Sequence, residues 1–168
     1  MMLKSAARRV AVALFLAPLS FPVWAACNDL AQAKVVWRRC SFEGQALPGA
    51  QLAGAILRDT TFQRADLRGA DLSDADGYRA KFISALVMGA RFDRARLIEV
   101  DFTRADLTDA SFRAADLRNA KLVGASLVNA DFTGAKLSGA DLSNANLAGA
   151  RWVDGARVCG AHSVGECN

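Results

Sequence analysis

An apolar side chain recurs at every fifth position through most of the chain: Phe42, Leu47, Leu52, Leu57, Phe62, Leu67, Leu72, then Phe82 and Val87 onward to Leu147 and Trp152. Alanine stands two residues before nearly every one, as at Ala50, Ala55, Ala65, Ala70 and Ala150, and Gly77 is the clear break at the large position. A period of five suits neither regular element. On an α-helix, five residues advance the direction by about 140°, so the large residues scatter around the axis. On a straight strand, the odd repeat sends successive blocks to opposite faces. Every block faces one core only if the chain turns a corner in each repeat, which makes a solenoid with sides about five residues long.

The number of sides follows from what stacks. If residues twenty apart are neighbours, Phe42, Phe62, Phe82 and Phe102 fall in one inward column. Phe92, Phe112, Phe132 and Trp152 fall in the opposite one, and the other two columns are aliphatic apart from Gly77. Outward charges alternate at the same spacing: Lys81-Asp101-Lys121-Asp141, Asp76-Arg96-Asp116-Lys136, Asp59-Arg79-Glu99, Asp71-Arg91, Asp74-Arg94, Asp93-Arg113 and Asp131-Arg151. Opposite charges stacked across strands are favourable and like charges are not. A three-sided coil would stack Asp101, Asp116 and Asp131 on one another, so four sides are expected.

Blocks such as Ala65-Asp66-Leu67-Arg68-Gly69 and Ala140-Asp141-Leu142-Ser143-Asn144 resemble the A(D/N)LXX unit of the pentapeptide-repeat family. The resemblance covers about two thirds of the chain. It implies an all-β fold, a right-handed quadrilateral β-helix of about six coils with the small and large residues inside. It also brings the family's best-known activity, shielding DNA gyrase by mimicking DNA.

Residues 1–25 are expected to lie outside the solenoid, as an export signal. Lys4, Arg8 and Arg9 form a basic start, Val10 to Phe21 an apolar run interrupted by Pro18, and Val23-Trp24-Ala25 a small-residue site for cleavage after Ala25. The run is shorter than the ~20 residues that span a bilayer, so the mature chain has no transmembrane segment. Arg8-Arg9 offers a twin-arginine route only weakly, because the flanking residues fit that signal poorly. Removing the signal leaves 18 cations against 17 anions. A near-neutral mature chain gives no electrostatic reason to expect nucleic acid as a partner, and equally opposes mimicry of DNA.

The remaining segments are an N-terminal cap, 26–39, the repeat proper, 40–154, and a C-terminal cap, 155–168. Asn28 to Arg39 is expected to be a short helix or loop over the first coil with Trp37 as its apolar plug. All four cysteines lie in or beside the caps, the pattern of a disulfide-stapled exported chain. About six coils at ~4.8 Å hold the two ends nearly 30 Å apart, too far for a bridge between them. Cys27 is therefore expected to pair with Cys40, and Cys159 with Cys167. The same separation opposes one four-cysteine zinc site. The rival for Cys27 is acylation as a lipoprotein, for which Trp24 stands where leucine is usual and which would orphan Cys40.

No catalytic, cofactor or metal site is legible. His162 lies between two cysteines with no nucleophile or carboxylate set beside it, and the aspartates read as outward ladders rather than buried acids. The positions that depart from the pattern are apolar residues at outward places around Gly77: Tyr78, Ile83, Leu86, Met88 and Ile98. Two expectations stand for them. Either Tyr78 folds inward over the gap left by Gly77, or these residues form an interface with a partner or a second copy. The function expected is that of a non-enzymatic periplasmic or secreted scaffold, presenting a rigid surface to a protein or envelope component whose identity the sequence leaves open. The alternative is a purely structural envelope protein.

Overall fold

The computed structural model of the protein describes residues 27–168. The expected export signal and its cleavage site lie outside the described residues. From Val36 to Arg151 the backbone forms single parallel bridges between residues twenty apart, such as Val36 with Ile56, Ile56 with Asp76 and Asp76 with Arg96. Four blocks thus close one turn, as the charge columns require. The large residues define four sides: Phe42 to Leu142 in steps of twenty on the first, Leu47 to Leu147 on the second, Leu52 to Trp152 on the third, and Trp37 to Leu137 on the fourth.

Each block repeats one bonding scheme. The amide of the large residue donates to the coil ahead, Leu52 to the Asp71 carbonyl at 2.7 Å. The outward residue before it donates to the coil behind, Asp71 to Ala50 at 2.9 Å. A four-residue turn makes the corner, closed between the Leu47 carbonyl and the Ala50 amide with Gly49 at φ +66°. A left-handed third residue is what a type II turn demands. Asp59, Arg64 and Asn129 take the same conformation elsewhere, so the corner uses glycine for ease and does not depend on it.

The alanine and large positions are buried almost without exception between Ala50 and Phe132. Phe62, Phe82 and Phe102 stack at 4.9 Å between ring centroids, and Phe92, Phe112 and Phe132 at 5.1 and 5.2 Å. The two columns meet edge to face across the core, Phe82 against Phe92 at 5.8 Å.

The two ends depart from the sequence reading in one respect. Among the described residues, 28–39 contain no helix, and the coil already runs through them: Lys34 donates to Ala53, and Trp37 to Ile56. Val35 and Trp37 occupy ordinary small and large inward positions, so the period of five begins before Cys40. Trp37 does plug the core, with its ring 4.2 Å from Phe42. At the other end the tail reverses and runs antiparallel to the last coil, Val158 bridging Arg151 on the third side and Val164 bridging Asn146 on the second. Disulfides join Cys27 to Cys40 and Cys159 to Cys167, which suits an oxidising compartment. Among the described residues no helix is long and apolar enough to cross a membrane.

Candidate interaction surface

Gly77 does not leave a void for Tyr78 to fill. A Cβ on Gly77 would stand 2.9 Å from Leu97 Cδ2, so the leucine of the next coil already leans into the missing side chain's space. The expectation that Tyr78 folds inward is therefore overturned. It holds the outward place after Gly77, half-buried on the fourth side.

What covers the ring is charge. The guanidinium carbons of Arg79, Arg96 and Arg58 lie 5.0, 5.2 and 5.4 Å from its centroid, within cation–π range. Each arginine is held by a carboxylate of the same surface: Arg79 by Glu99 at 2.8 Å, Arg96 by Asp76 at 3.1 Å, and Arg58 by Asp76 at 3.1 Å. The Arg58 contact is an ion pair only, because its Nε makes no hydrogen bond. The Tyr78 hydroxyl lies 3.4 Å from Glu99. The Arg79 hydrogen bond, followed by the Arg79 charge and the Tyr78 hydroxyl, holds the Glu99 carboxyl below its ordinary value against partial desolvation.

Towards the N-terminal end the balance tips. Because the coil starts before Cys40, Arg38 stacks on Arg58, an exception to the alternating ladder read from 40 onward. No carboxylate lies within ion-pair distance of Arg38 or Arg39 among the described residues. With Arg58, Asp59 and Tyr78 they line a groove of about 470 Å³. A second groove of about 430 Å³ follows along the corner between the fourth and first sides, lined by Asp59, Arg79, Lys81, Glu99, Asp101, Asn119 and Lys121.

The other outward apolar residues do not join this surface as one patch. Ile98 stacks on Tyr78 in its column and is half-buried, and Ile83 lies around the corner on the first side. Leu86 and Met88, 43% and 40% exposed, sit on the second side, opposite Tyr78. Asp93 also departs from the outward reading of the aspartates. It is buried, accepts from the Ser111 hydroxyl and the Arg113 amide, and lies 3.4 Å from Arg91. These partners account for it as a structural group. Among the described residues no group of three His, Cys, Asp or Glu could hold a metal ion.

The sequence signal for the arginines was present in the same arithmetic that gave four sides: Arg58 precedes Tyr78 by twenty positions, and Arg38 precedes Arg58 by twenty. Reading only the apolar residues concealed it.

Compared with known proteins, the chain matches the family profile described as pentapeptide repeats, in eight copies, over residues 38–74, 75–113 and 110–149. Among solved structures it is similar to trypsin-treated QnrB1, a plasmid-mediated fluoroquinolone resistance protein, with 22% identity over 70% of this chain and a TM-score of 0.44. It spans 63% of that QnrB1 chain. It is also similar to HetL, involved in heterocyst differentiation regulation in Nostoc sp. strain PCC 7120, with 26% identity over 73% of this chain and 70% of that one, TM-score 0.31. A third is a pentapeptide-repeat protein of the Arabidopsis thaliana thylakoid lumen, with 25% identity over 74% and 84%, TM-score 0.32. No curated protein matches the chain.

Proposed function

The chain belongs to the pentapeptide-repeat family, whose fold is a right-handed quadrilateral β-helix, and from that premise we propose that it is a non-enzymatic exported scaffold. Its fourth side binds a protein or envelope component in the periplasm or outside the cell. The observation that carries this reading is Tyr78 under Arg58, Arg79 and Arg96, beside Arg38 and Arg39, which have no carboxylate within ion-pair distance among the described residues. A half-buried tyrosine ringed by arginines has the composition of a protein-binding centre, where these two residue types concentrate binding energy. Packing in the core does not require it, since Leu97 closes the gap beneath. The two cap disulfides support export.

The surface does not suit imitation of DNA. Such a role needs a continuous acidic stripe, whereas Asp74, Asp76 and Glu99 are each matched by an arginine within 3.1 Å.

The test places a photo-crosslinking residue at Tyr78 or Ile98 in the exported protein, with Ser126 on the second side as control. A discrete adduct at the first two positions and not at Ser126 is expected, and it should vanish when Tyr78→Ser and Ile98→Thr are introduced around a crosslinker at Arg79. Equal adducts at all positions, or none, overturn the assignment to the fourth side. Intact mass of the secreted chain checks export separately: it should begin at Ala26 and carry no lipid on Cys27.

A further inference from the structure

The N-terminal stretch of the fourth side holds more positive charge than the chain neutralises. Arg38, Arg39 and Arg58 line one groove of about 470 Å³ with Asp59 and Tyr78, a volume in the range of small-molecule sites. Elsewhere on the rod the fork of an arginine closes on one carboxylate through two hydrogen bonds, as Arg68 does with Asp66, Arg94 with Asp74 and Arg118 with Asp116. In the groove no guanidinium N–H of Arg38, Arg39 or Arg58 has a hydrogen-bond acceptor among the described residues. Arg58 Nε is shut off from solvent without one, and the ion pair of Arg58 with Asp76 at 3.1 Å does not supply it.

The backbone keeps the three arginines together. Arg38 and Arg58 occupy the same place in successive coils, one strand spacing, about 4.8 Å, apart. The Arg39 amide donates to the Arg58 carbonyl at 2.9 Å. Cys40 follows Arg39 directly, is buried, and is tied to Cys27 by a disulfide. The cluster is therefore in place before any ligand arrives, although like charges in stacked positions oppose it in the free protein. An anion between them removes that opposition and accepts from N–H groups that have no other acceptor.

Two charges have to be matched. Around the groove and Tyr78, the guanidinium groups of Arg38, Arg39, Arg58 and Arg96 face the carboxylates of Asp59 and Asp76, the latter shared by Arg58 and Arg96, while Arg79 and Glu99 cancel. Four cations against two anions leave two positive charges over. Arg38 and Arg39 are adjacent and Arg58 is one coil on, so the counter-charges must sit close together. An extended acidic peptide does not offer this, because neighbouring carboxylates point to opposite faces and alternate ones stand about 6.8 Å apart. One phosphomonoester carries nearly two negative charges on a single group, and its oxygens suit the guanidinium fork.

The rest of the groove indicates what bears the phosphate. The Asp59 carboxylate makes no hydrogen bond or ion pair among the described residues, the residue bonding only through its backbone, as from its amide to the Tyr78 carbonyl at 2.9 Å. It offers an acceptor to hydroxyl groups. The lining contains no aliphatic residue on which an acyl chain could lie.

We infer that this groove is a binding site for a phosphorylated sugar of the cell envelope, with Arg38, Arg39 and Arg58 holding the phosphomonoester and Asp59 receiving a sugar hydroxyl. The inference rests on the reading of the fourth side as the binding surface and names what that surface recognises.

Titration of the mature, disulfide-bonded protein with glucose 6-phosphate, followed through the Nε–Hε resonances of its arginines, is the test. The signals of Arg38, Arg39 and Arg58 should shift saturably with a Kd below about 1 mM at physiological salt. Inorganic phosphate should bind about tenfold more weakly, and glucose should cause no shift. Arg38→Gln with Arg39→Gln should keep both disulfides and a cooperative melt while weakening glucose 6-phosphate about 100-fold. Arg104→Gln, which removes an exposed cation of the first side, should leave the affinity unchanged. Because the shifts are read on the unaltered protein, the result stands even where a variant fails to fold. No saturable shift, an equal loss from Arg104→Gln, or tighter binding of a triaspartate peptide or of phosphatidylglycerol vesicles each overturns the inference. A crosslinked partner at Tyr78 and Ile98 with no response to glucose 6-phosphate sinks this inference alone, whereas saturable binding of glucose 6-phosphate without a crosslink upholds it and sinks the assignment of a larger partner to the fourth side.

Discussion

Beyond the first coil, where the buried Trp37 heads the fourth column, the first and fourth sides are built from the same five-residue block and dispose of aromatic bulk in opposite ways. On the first, Phe62, Phe82 and Phe102 point inward and stack at 4.9 Å, each packed by the copy above and below. On the fourth, the column reads Leu57, Gly77, Leu97, and the aromatic residue stands one place later, outside, as Tyr78. Inside, a ring is stabilised by repetition. Outside, it is stabilised by a set of neighbours found once, three guanidinium groups fixed by Glu99 and Asp76. Repetition specifies the fold, and the singular arrangement is where recognition can reside.

The comparison breaks most sharply at Phe82, which is fully buried and touches Phe62, Phe92 and Phe102. Phe82→Ala should cost about 3–5 kcal/mol, because four-sided packing leaves little room for the cavity to collapse. Chemical denaturation measures it. A loss as small as that of an outward substitution would mean that the aromatic column is not what holds the middle coils together.

Cys159→Ser with Cys167→Ser probes the end of the rod instead of its middle. The bond closes a segment of sequence separation 8, so its removal should cost roughly 2–3 kcal/mol through the unfolded chain. The melt should remain cooperative, since the coils below it are bonded without the tail. Biphasic unfolding would show that the last coil depends on the disulfide for its own structure.

Gly77→Leu restores the repeat on the fourth side and asks whether its break is decay or design. Gly77 does not have a left-handed φ, and the atom nearest an added Cβ is the Leu97 methyl, the far end of a flexible side chain. If the Leu97 side chain moves aside, a gain of about 1 kcal/mol is expected from added burial and a less flexible unfolded chain. A loss would mean that Leu97 and Tyr78 are fitted to the glycine, and would strengthen the reading of this side as specialised.

Much of this was legible because stacking turns sequence distance into spatial distance. Spacing of twenty placed Phe62 on Phe82 and Asp74 on Arg94, and both contacts are present, the latter at 2.7 Å. The disulfide pairs followed from the length of the rod. What escaped were features that the period does not encode. The start of the coil was missed because Val35 and Trp37 carry the pattern with unfamiliar residue types. Lys81 and Asp101 stack as expected yet form no ion pair within 4 Å, and Arg113 turns from Asp93 towards Asp131 at 3.2 Å. Long side chains choose among several carboxylates at similar reach, and the register limits that choice without making it. The reversal of the tail depends on the two bridges at Val158 and Val164, where no repeat operates.

The smallest effect is expected from the surface charge pairs, which lie on the second, third and fourth sides. Hydrogen bonds from Arg94, Arg68 and Arg79 hold Asp74, Asp66 and Glu99 below their ordinary values, and Arg118 does the same for Asp116 against partial burial. A carboxyl whose pKa is lower in the folded chain than in the unfolded one adds stability above the unfolded value, here near 3.8 for Asp and 4.5 for Glu, and loses it as pH falls through the folded value. The melting temperature should therefore stay level from neutral pH to about 5 and decline below about 4. Because the pairs are exposed and screened, salt should flatten that decline. Glu99→Gln should remove part of it and Asp74→Asn a similar part, each less than any of the three changes above. A curve that stays level to about pH 2 would show that the ladders set only the register of the coils, leaving Glu99 to matter for the orientation of Arg79 over Tyr78 and not for stability.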